Sequence, residues 1–211
     1  MKSNNILNKI IRFLQYALTS MIISSYVVAI IFSISMDLCL IKTYISSTAF
    51  IYYLITISKS PGSLLDANNA TVKGICTKCN RIRGYQTKHC NICNKCYHKR
   101  DHHCILLGKC IAENNLKDFY YCLFFTLLYF LSMVFTKEYK LFYLLGTIGF
   151  GIFWVWMSFV IGLQKTSIEV LNMEEKPFNI QIIRNLYEYL KENPLNIFFP
   201  FLKVRNVVEL E

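Results

Sequence analysis

Seven of the nine cysteines and all four histidines fall within residues 76–115. A stretch so rich in sulfur and imidazole has no long apolar runs from which to build a core, so bound metal must replace one. Cys76-Thr77-Lys78-Cys79 and Cys90-Asn91-Ile92-Cys93 are C-x-x-C pairs, a spacing that lets one tight turn aim two thiolates at one ion. Cys96 and Cys110 add two more thiolates, and His89 and His103 add imidazoles. Eight donors make two tetrahedral Cys₃His sites, and zinc fits that ligand set best, with iron the alternative that soft thiolates also accept. Spacing alone leaves a sequential and an interleaved partition of the ligands both open. Each structural zinc contributes on the order of 10 kcal/mol to folding.

Apolar segments flank this stretch on both sides, at about 13–34, 40–57, 119–136 and 141–163. Each has about the 20 residues a spanning helix needs and is apolar all round. The formal charge of +10 is distributed unevenly. Lys2, Lys9 and Arg12 precede the first segment, and eleven Lys and Arg lie from Lys59 to Lys117. The turn between the first two segments carries only Asp37 near its tip. The positive-inside rule therefore places both termini and the Cys/His stretch in the cytosol, where thiols stay reduced and serve metal binding or chemistry. The expected fold is an all-α integral membrane protein with four transmembrane helices. A small cytosolic zinc-stabilised domain sits between helices 2 and 3. The chain divides into 1–58 (lead and helices 1 and 2), 59–118 (cysteine-rich domain), 119–163 (helices 3 and 4) and 164–211 (cytosolic C-terminal segment). In the last part Ile180, Ile183, Leu186, Tyr187 and Leu190 recur at helical spacing, the pattern of an amphipathic helix on the bilayer or the cytosolic domain. The apolar run 195–199, between Pro194 and Pro200, is too short to span.

Once eight metal ligands are assigned, Asp101, His102, Cys104 and His98 remain. If residues 101–104 are extended, His102 and Cys104 project to one face and His103 to the other. An imidazole beside a thiol supplies thiolate in the neutral range. Asp101 is placed to orient that imidazole, as a carboxylate does in a triad. The set reads as a base-activated nucleophile for covalent acyl transfer. His98 reads as a solvated surface histidine, and Cys39 and Cys122 as packing residues in apolar segments. A thiolate at the cytosolic face of a helix bundle suits a fatty acyl thioester, whose tail lies among helices while its polar head stays in water. Lys99, Arg100 and Lys109 are cations suited to the phosphates of a coenzyme A carrier.

The residues Cys76, Cys79, His89, Cys90, Cys93, Cys96, Asp101, His102, His103, Cys104, Cys110 and Asn115 resemble, in kind and spacing, the DHHC protein S-acyltransferases, or palmitoyltransferases. The resemblance extends over nearly the whole chain. It implies interleaved zinc sites, Cys76, Cys79, His89 and Cys96 in one, and Cys90, Cys93, His103 and Cys110 in the other. It implies that Cys104 takes the acyl group from acyl-CoA, with His102 as base and Asp101 as its partner. Thr166-Ser167-Ile168-Glu169 is similar to the family's T-T-x-E motif, which packs near the active site. Pro177, Phe178, Asn179 and Asn185 resemble parts of its C-terminal segment, and Tyr129 falls where the family limits acyl-chain depth. The chain departs from the pattern at several positions. Ile105-Leu106 stands for Pro-Trp after the nucleophile, Lys109 for asparagine, Ala112 for glycine, Gly84 and Gln86 for proline and arginine, and Ser60 for aspartate before Pro61-Gly62.

The resulting expectation is a multi-pass membrane S-acyltransferase of the endoplasmic reticulum or Golgi. It holds two structural zinc ions and uses palmitoyl-CoA as donor and cysteine-containing, membrane-associated proteins as acceptors. The competing reading is a non-catalytic zinc scaffold in the membrane. A zinc-knuckle nucleic-acid binder fits poorly with two transmembrane hairpins and juxtamembrane basic charge, so no nucleic-acid partner is expected.

Overall fold

A computed structural model describes residues 2–35, 40–62, 72–84, 86–135, 139–172, 181–191 and 194–200. The first interhelical turn at Asp37, Cys39, and Pro177, Phe178, Asn179 and Ile180 lie outside the described residues. Four long helices carry the molecule: α1 (Lys2–Ser35), α2 (Leu40–Ser58), α3 (Glu113–Met133) and α4 (Lys140–Gly162). Each contains a segment long and apolar enough to cross a membrane. Among the described residues between α2 and α3 the chain is not helical. It forms six short strands, β1 (Val72–Cys76), β2 (Arg81–Gly84), β3 (Lys88–Cys90), β4 (Lys95–Tyr97), β5 (His102–Cys104) and β6 (Lys109–Ile111). They pair as three separate antiparallel hairpins. The all-α expectation is corrected here. C-x-x-C turns reverse the chain every few residues, too often for a helix to nucleate.

The third long helix starts at Glu113, six residues before the apolar run at Phe119. Asn115 explains the early start. Its side-chain oxygen accepts from the Ala112 backbone N–H (2.9 Å), and its amide donates to the Cys110 carbonyl (3.1 Å). The fully buried Asn115 thus ties β6 directly to α3. On the other side, α2 ends at Ser58 just before the Ser60-Pro61-Gly62 breaker. Lys59 reaches across to the buried carboxylate of Asp118 on α3 (2.9 Å).

Between helices surrounded by lipid tails, apolar burial gives no special advantage, and close packing and polar contacts hold the bundle. Tyr26 of α1 and Thr126 of α3 share a 2.8 Å hydrogen bond, and Tyr120 of α3 and Ser158 of α4 one of 3.0 Å. The core gathers Ala49, Tyr52 and Tyr53 of α2, Phe119, Tyr121 and Phe125 of α3, and Met157 and Ile161 of α4. Cys104, Leu107 and Ile111 of the third hairpin join the same cluster.

Three short helices follow: α5 (Ser167–Leu171), α6 (Ile182–Leu190) and α7 (Pro194–Phe198). α6 is amphipathic and packs one stripe on the bundle. Leu186, Tyr189 and Leu190 pack on the core, while Ile183 and Tyr187 are exposed. Asn185 donates to the last-turn carbonyl of Gly162 on α4 (2.9 Å). The run at 195–199 does not cross. It lies against α2, where the Tyr52 hydroxyl donates to the Ile197 carbonyl (2.9 Å) and the Tyr44 hydroxyl to that of Phe198.

Gly162 sits under α6 so closely that a Cβ there would meet the Ile182 backbone oxygen at 2.9 Å and its Cγ2 at 2.4 Å. Gly162→Val is expected to destabilise the protein by about 1–3 kcal/mol through overpacking. Gly151→Ala, whose Cβ would meet only Leu127 at 3.7 Å, should be near neutral. Thermal unfolding in detergent distinguishes the two.

Candidate active site and metal centres

The three hairpins repeat one design at an offset of 14 residues. Cys76, Cys90 and Cys104 each end a strand, and each faces a basic residue across its hairpin: Arg81, Lys95 and Lys109. Four residues after each cysteine comes the left-handed position that lets the turn close: Asn80 (φ 51°), Asn94 (φ 53°) and Gly108 (φ 65°). Short polar side chains and glycine tolerate that conformation best. The residue before it is Cys79 in the first turn, Cys93 in the second and Leu107 in the third.

Each metal cluster takes its two turn cysteines from one hairpin and a directly opposed cross-strand pair from the next. His89 faces Cys96 on β3 and β4, and His103 faces Cys110 on β5 and β6. The groups brought together are therefore Cys76, Cys79, His89 and Cys96, and Cys90, Cys93, His103 and Cys110. The interleaved partition is the one the fold adopts. In the first group the His89 Nδ1 lies 3.7, 3.2 and 3.6 Å from the three sulfurs. In the second the His103 Nδ1 lies 3.6, 3.3 and 3.6 Å from its sulfurs. A tetrahedron with zinc–ligand bonds of about 2.0–2.3 Å has edges of roughly 3.5–3.8 Å. Both clusters fit a zinc ion.

Cys104 belongs to neither group. It begins the third turn, where Leu107 occupies the second sulfur's place, and no further hairpin follows to supply a cross-strand pair. β5 is extended, so His102 and Cys104 do share a face, with His103 on the other. The His102 Nδ1 lies 2.8 Å from Asp101 Oδ2, and the Cys104 thiol is its neighbour on the same strand face. Burial opposes charging of His102, yet the Asp101 carboxylate and the Cys104 sulfur outweigh it and raise its pKa to about 9. Phe119 and Phe153 flank the ring at centroid distances of 5.4 and 6.1 Å. Asp101 is fully buried. Its second oxygen accepts from the Ser167 backbone N–H (2.6 Å), and its own N–H donates to the Ile111 carbonyl (2.9 Å). A thiol, an imidazole and an anchored carboxylate in this order can generate a thiolate nucleophile.

Cys104 opens onto an apolar cavity of about 680 Å³ between α1, α3 and α4. Its lining on α3 runs from Phe119 to Phe130 and includes Cys122 and Tyr129. At 1.5 Å per residue those eleven steps extend about 16 Å along the helix. A family model described as DHHC palmitoyltransferase matches residues 69–199.

The chain belongs to the DHHC palmitoyltransferase family.

A search of curated proteins gave no match. In this DHHC protein Thr166-Ser167-Ile168-Glu169 closes the site from behind. Thr166 caps α5 and exchanges bonds with Glu169 (2.9 and 3.3 Å), which presents the Ser167 N–H to Asp101. Of the three cations expected at a carrier phosphate, two are engaged elsewhere. The Lys109 ammonium bonds the carbonyls of Ile57 (2.6 Å) and Lys59 (2.7 Å) at the end of α2, and burial lowers its pKa. Lys99 pairs with Glu113. Arg100 keeps a buried Nε with no hydrogen-bond partner.

His98 is not the solvated residue its sequence context predicts. It is buried, with Nδ1 3.5 Å from Thr87 Oγ1 and Nε2 3.7 Å from Glu113 Oε2. It thereby helps fix the hairpins to the start of α3. Residue-by-residue reading also missed Gln15 and Thr19 of α1, which reach the third hairpin. Their signal was available: polar residues at i and i+4 in an apolar helix share one face, and that face seeks protein.

The purified chain is expected to carry two zinc ions. Cys104→Ser should retain both, because its sulfur lies in neither cluster, whereas Cys90→Ser should lose metal and fold. Metal analysis with circular dichroism checks this, and loss of zinc from Cys104→Ser would contradict the assignment.

Proposed function

We propose that the protein is a membrane S-acyltransferase that moves a fatty acyl group, palmitoyl in the simplest case, from acyl-CoA to Cys104 and then to cysteine thiols of membrane-associated proteins. The observation that carries this reading is the position of Cys104: outside both metal clusters, beside His102, at the mouth of the apolar cavity.

In the first step His102 takes the Sγ proton, and the thiolate attacks the thioester carbonyl. The bond from carbonyl carbon to coenzyme A sulfur breaks, and the departing thiolate recovers the proton from His102. In the second step His102 takes a proton from the acceptor cysteine, whose sulfur attacks the Cys104 thioester. Cys104 leaves and is reprotonated. Asp101 holds the His102 tautomer throughout and stabilises its charged form. The acyl chain occupies the cavity, where each buried CH₂ contributes about 0.8 kcal/mol. Tyr129 bounds its depth, and Arg100 is the cation left to meet a carrier phosphate. The two zinc ions shape the site and take no part in bond exchange. Their ligands are Cys76, Cys79, His89 and Cys96, and Cys90, Cys93, His103 and Cys110.

The working division of the chain is 1–58, 59–118, 119–163 and 164–211. Both termini and the hairpins face the cytosol of an endomembrane, as the charge distribution supports.

The test is incubation of detergent-purified protein with labelled palmitoyl-CoA. Wild type should acquire a hydroxylamine-sensitive label that Cys104→Ser lacks. His102→Ala should slow labelling by roughly 10²-fold or more, the usual scale of a lost general base. Asp101→Asn should slow it while zinc content stays at two. A folded wild type with both zinc ions and no label would favour the non-catalytic scaffold instead.

A further inference from the structure

The two metal groups share one design, yet their histidines are supported differently. The His103 Nε2 lies 2.6 Å from the side-chain amide of Gln15 on α1. The His89 Nε2 is buried and has no hydrogen-bond partner. Since the His103 Nδ1 faces three sulfurs, the ring proton must sit on Nε2 and donate outward. The acceptor is then the Gln15 amide carbonyl, brought to the ring by a half-turn of the amide. A ligand histidine held in this way has its tautomer and ring plane fixed and its basicity raised.

Gln15 is 4% exposed although it belongs to the least buried of the four spanning helices. One turn on, Thr19 donates to the Leu106 carbonyl (3.4 Å), which also accepts from Tyr53 of α2 (3.1 Å). The Gln15 Cβ and Thr19 Oγ1 lie 3.7 and 3.6 Å from where a Cβ would stand on Gly108. One face of α1 therefore clasps the β5–β6 hairpin at its metal ligand and at its turn.

We propose that Gln15 is a positioning residue for the second metal site: it holds His103 from within the membrane and makes that site slower to release its ion than the first. The inference rests on the metal reading of the second cluster, and not on acyl transfer. Polar substitutions at Gln15 that keep an acceptor preserve the difference between the sites, and apolar ones remove it.

The experiment is zinc transfer from the full-length, zinc-loaded protein in detergent to a chromogenic chelator, followed in time. Wild type should release its two ions in two phases. Gln15→Leu should accelerate the slow phase by about tenfold or more, the usual scale for loss of such a partner, and leave the fast phase unchanged. Thr19→Val, which touches the turn and no ligand, should keep both phases. Gln15→Glu retains an acceptor and must keep the slow phase whether or not Gln15→Leu folds. Release in a single wild-type phase, equal acceleration of both phases in Gln15→Leu, an unchanged slow phase in Gln15→Leu, or fast release from Gln15→Glu would each overturn the proposal. A wild type that binds no zinc would instead remove the metal reading itself.

Discussion

Ligation shared between neighbouring hairpins is the constraint on which the rest of the structure depends. Each hairpin has two places for donors, its turn and a cross-strand pair. The turn supplies one donor cluster and the pair supplies the preceding one. Hairpin two therefore belongs to both clusters at once, and no hairpin can shift without distorting a coordination shell. Two ions at on the order of 10 kcal/mol each can order a segment whose strands are only three to five residues long. The series stops because Glu113 begins α3 and no fourth hairpin follows. Its last turn is left with one sulfur, a leucine in place of the other, and no cross-strand histidine to come. Cys104 is thus a ligand position that has lost its site, held by the same turn geometry that presents thiolates to metal.

A rigid hairpin module is of use only if the long helices hold it in register with the cavity. Buried polar groups do this, each with a partner. Asn115 joins ligand strand β6 to α3, and Lys109 joins the same strand to the end of α2. Asp101 joins the third hairpin to α5, which follows α4 directly. A buried unpaired carboxylate or amide would cost several kcal/mol, so these contacts are fixed in geometry as well as favourable. Asp101 is the most constrained, because its two oxygens serve different elements: one faces His102 and the other the Ser167 N–H. Its carboxylate plane fixes the imidazole's position relative to α4 as well as to Cys104.

Much of this was legible in the sequence, for reasons that differ by residue. The spanning helices follow from length and hydropathy alone. The eight ligands follow from residue type and spacing, and the alternation of His102 and His103 from the two-residue period of a strand. The interleaving is also present in the sequence, as a 14-residue offset, but spacing without hairpin pairing does not say that His89 lies opposite Cys96. The roles of Lys99, Lys109 and His98 could not be read. Each depends on a contact across the fold, to Glu113 or to the carbonyls ending α2, and local sequence carries no record of such partners. The stripe of α6 that packs on the bundle was not specified by spacing either. Ile183 and Tyr187 satisfy helical spacing as well as Leu186 and Leu190 do, and contacts across the fold, such as those of Asn185 with Gly162 and of Tyr121 with Leu190, accompany the stripe that packs.

The third turn also contains Ile105 and Leu106, the pair after Cys104 that departs from the pattern the sequence resembles. Substitutions next to a reactive thiol matter most if they alter the backbone that aims it. Here that backbone is held by groups unrelated to either side chain: the Leu106 carbonyl by Tyr53 and Thr19, the Gly108 N–H by the Ile105 carbonyl at 3.1 Å, and the left-handed step by Gly108 itself. The side chains of Ile105 and Leu106 are both more than half exposed. The turn is therefore specified by Tyr53, Thr19 and Gly108, and the exchanged pair changes the surface beside the thiol more than the direction in which it points. Divergence at these two positions therefore changes the rim of the cavity, while the Asp101, His102 and Cys104 arrangement within rests on other contacts.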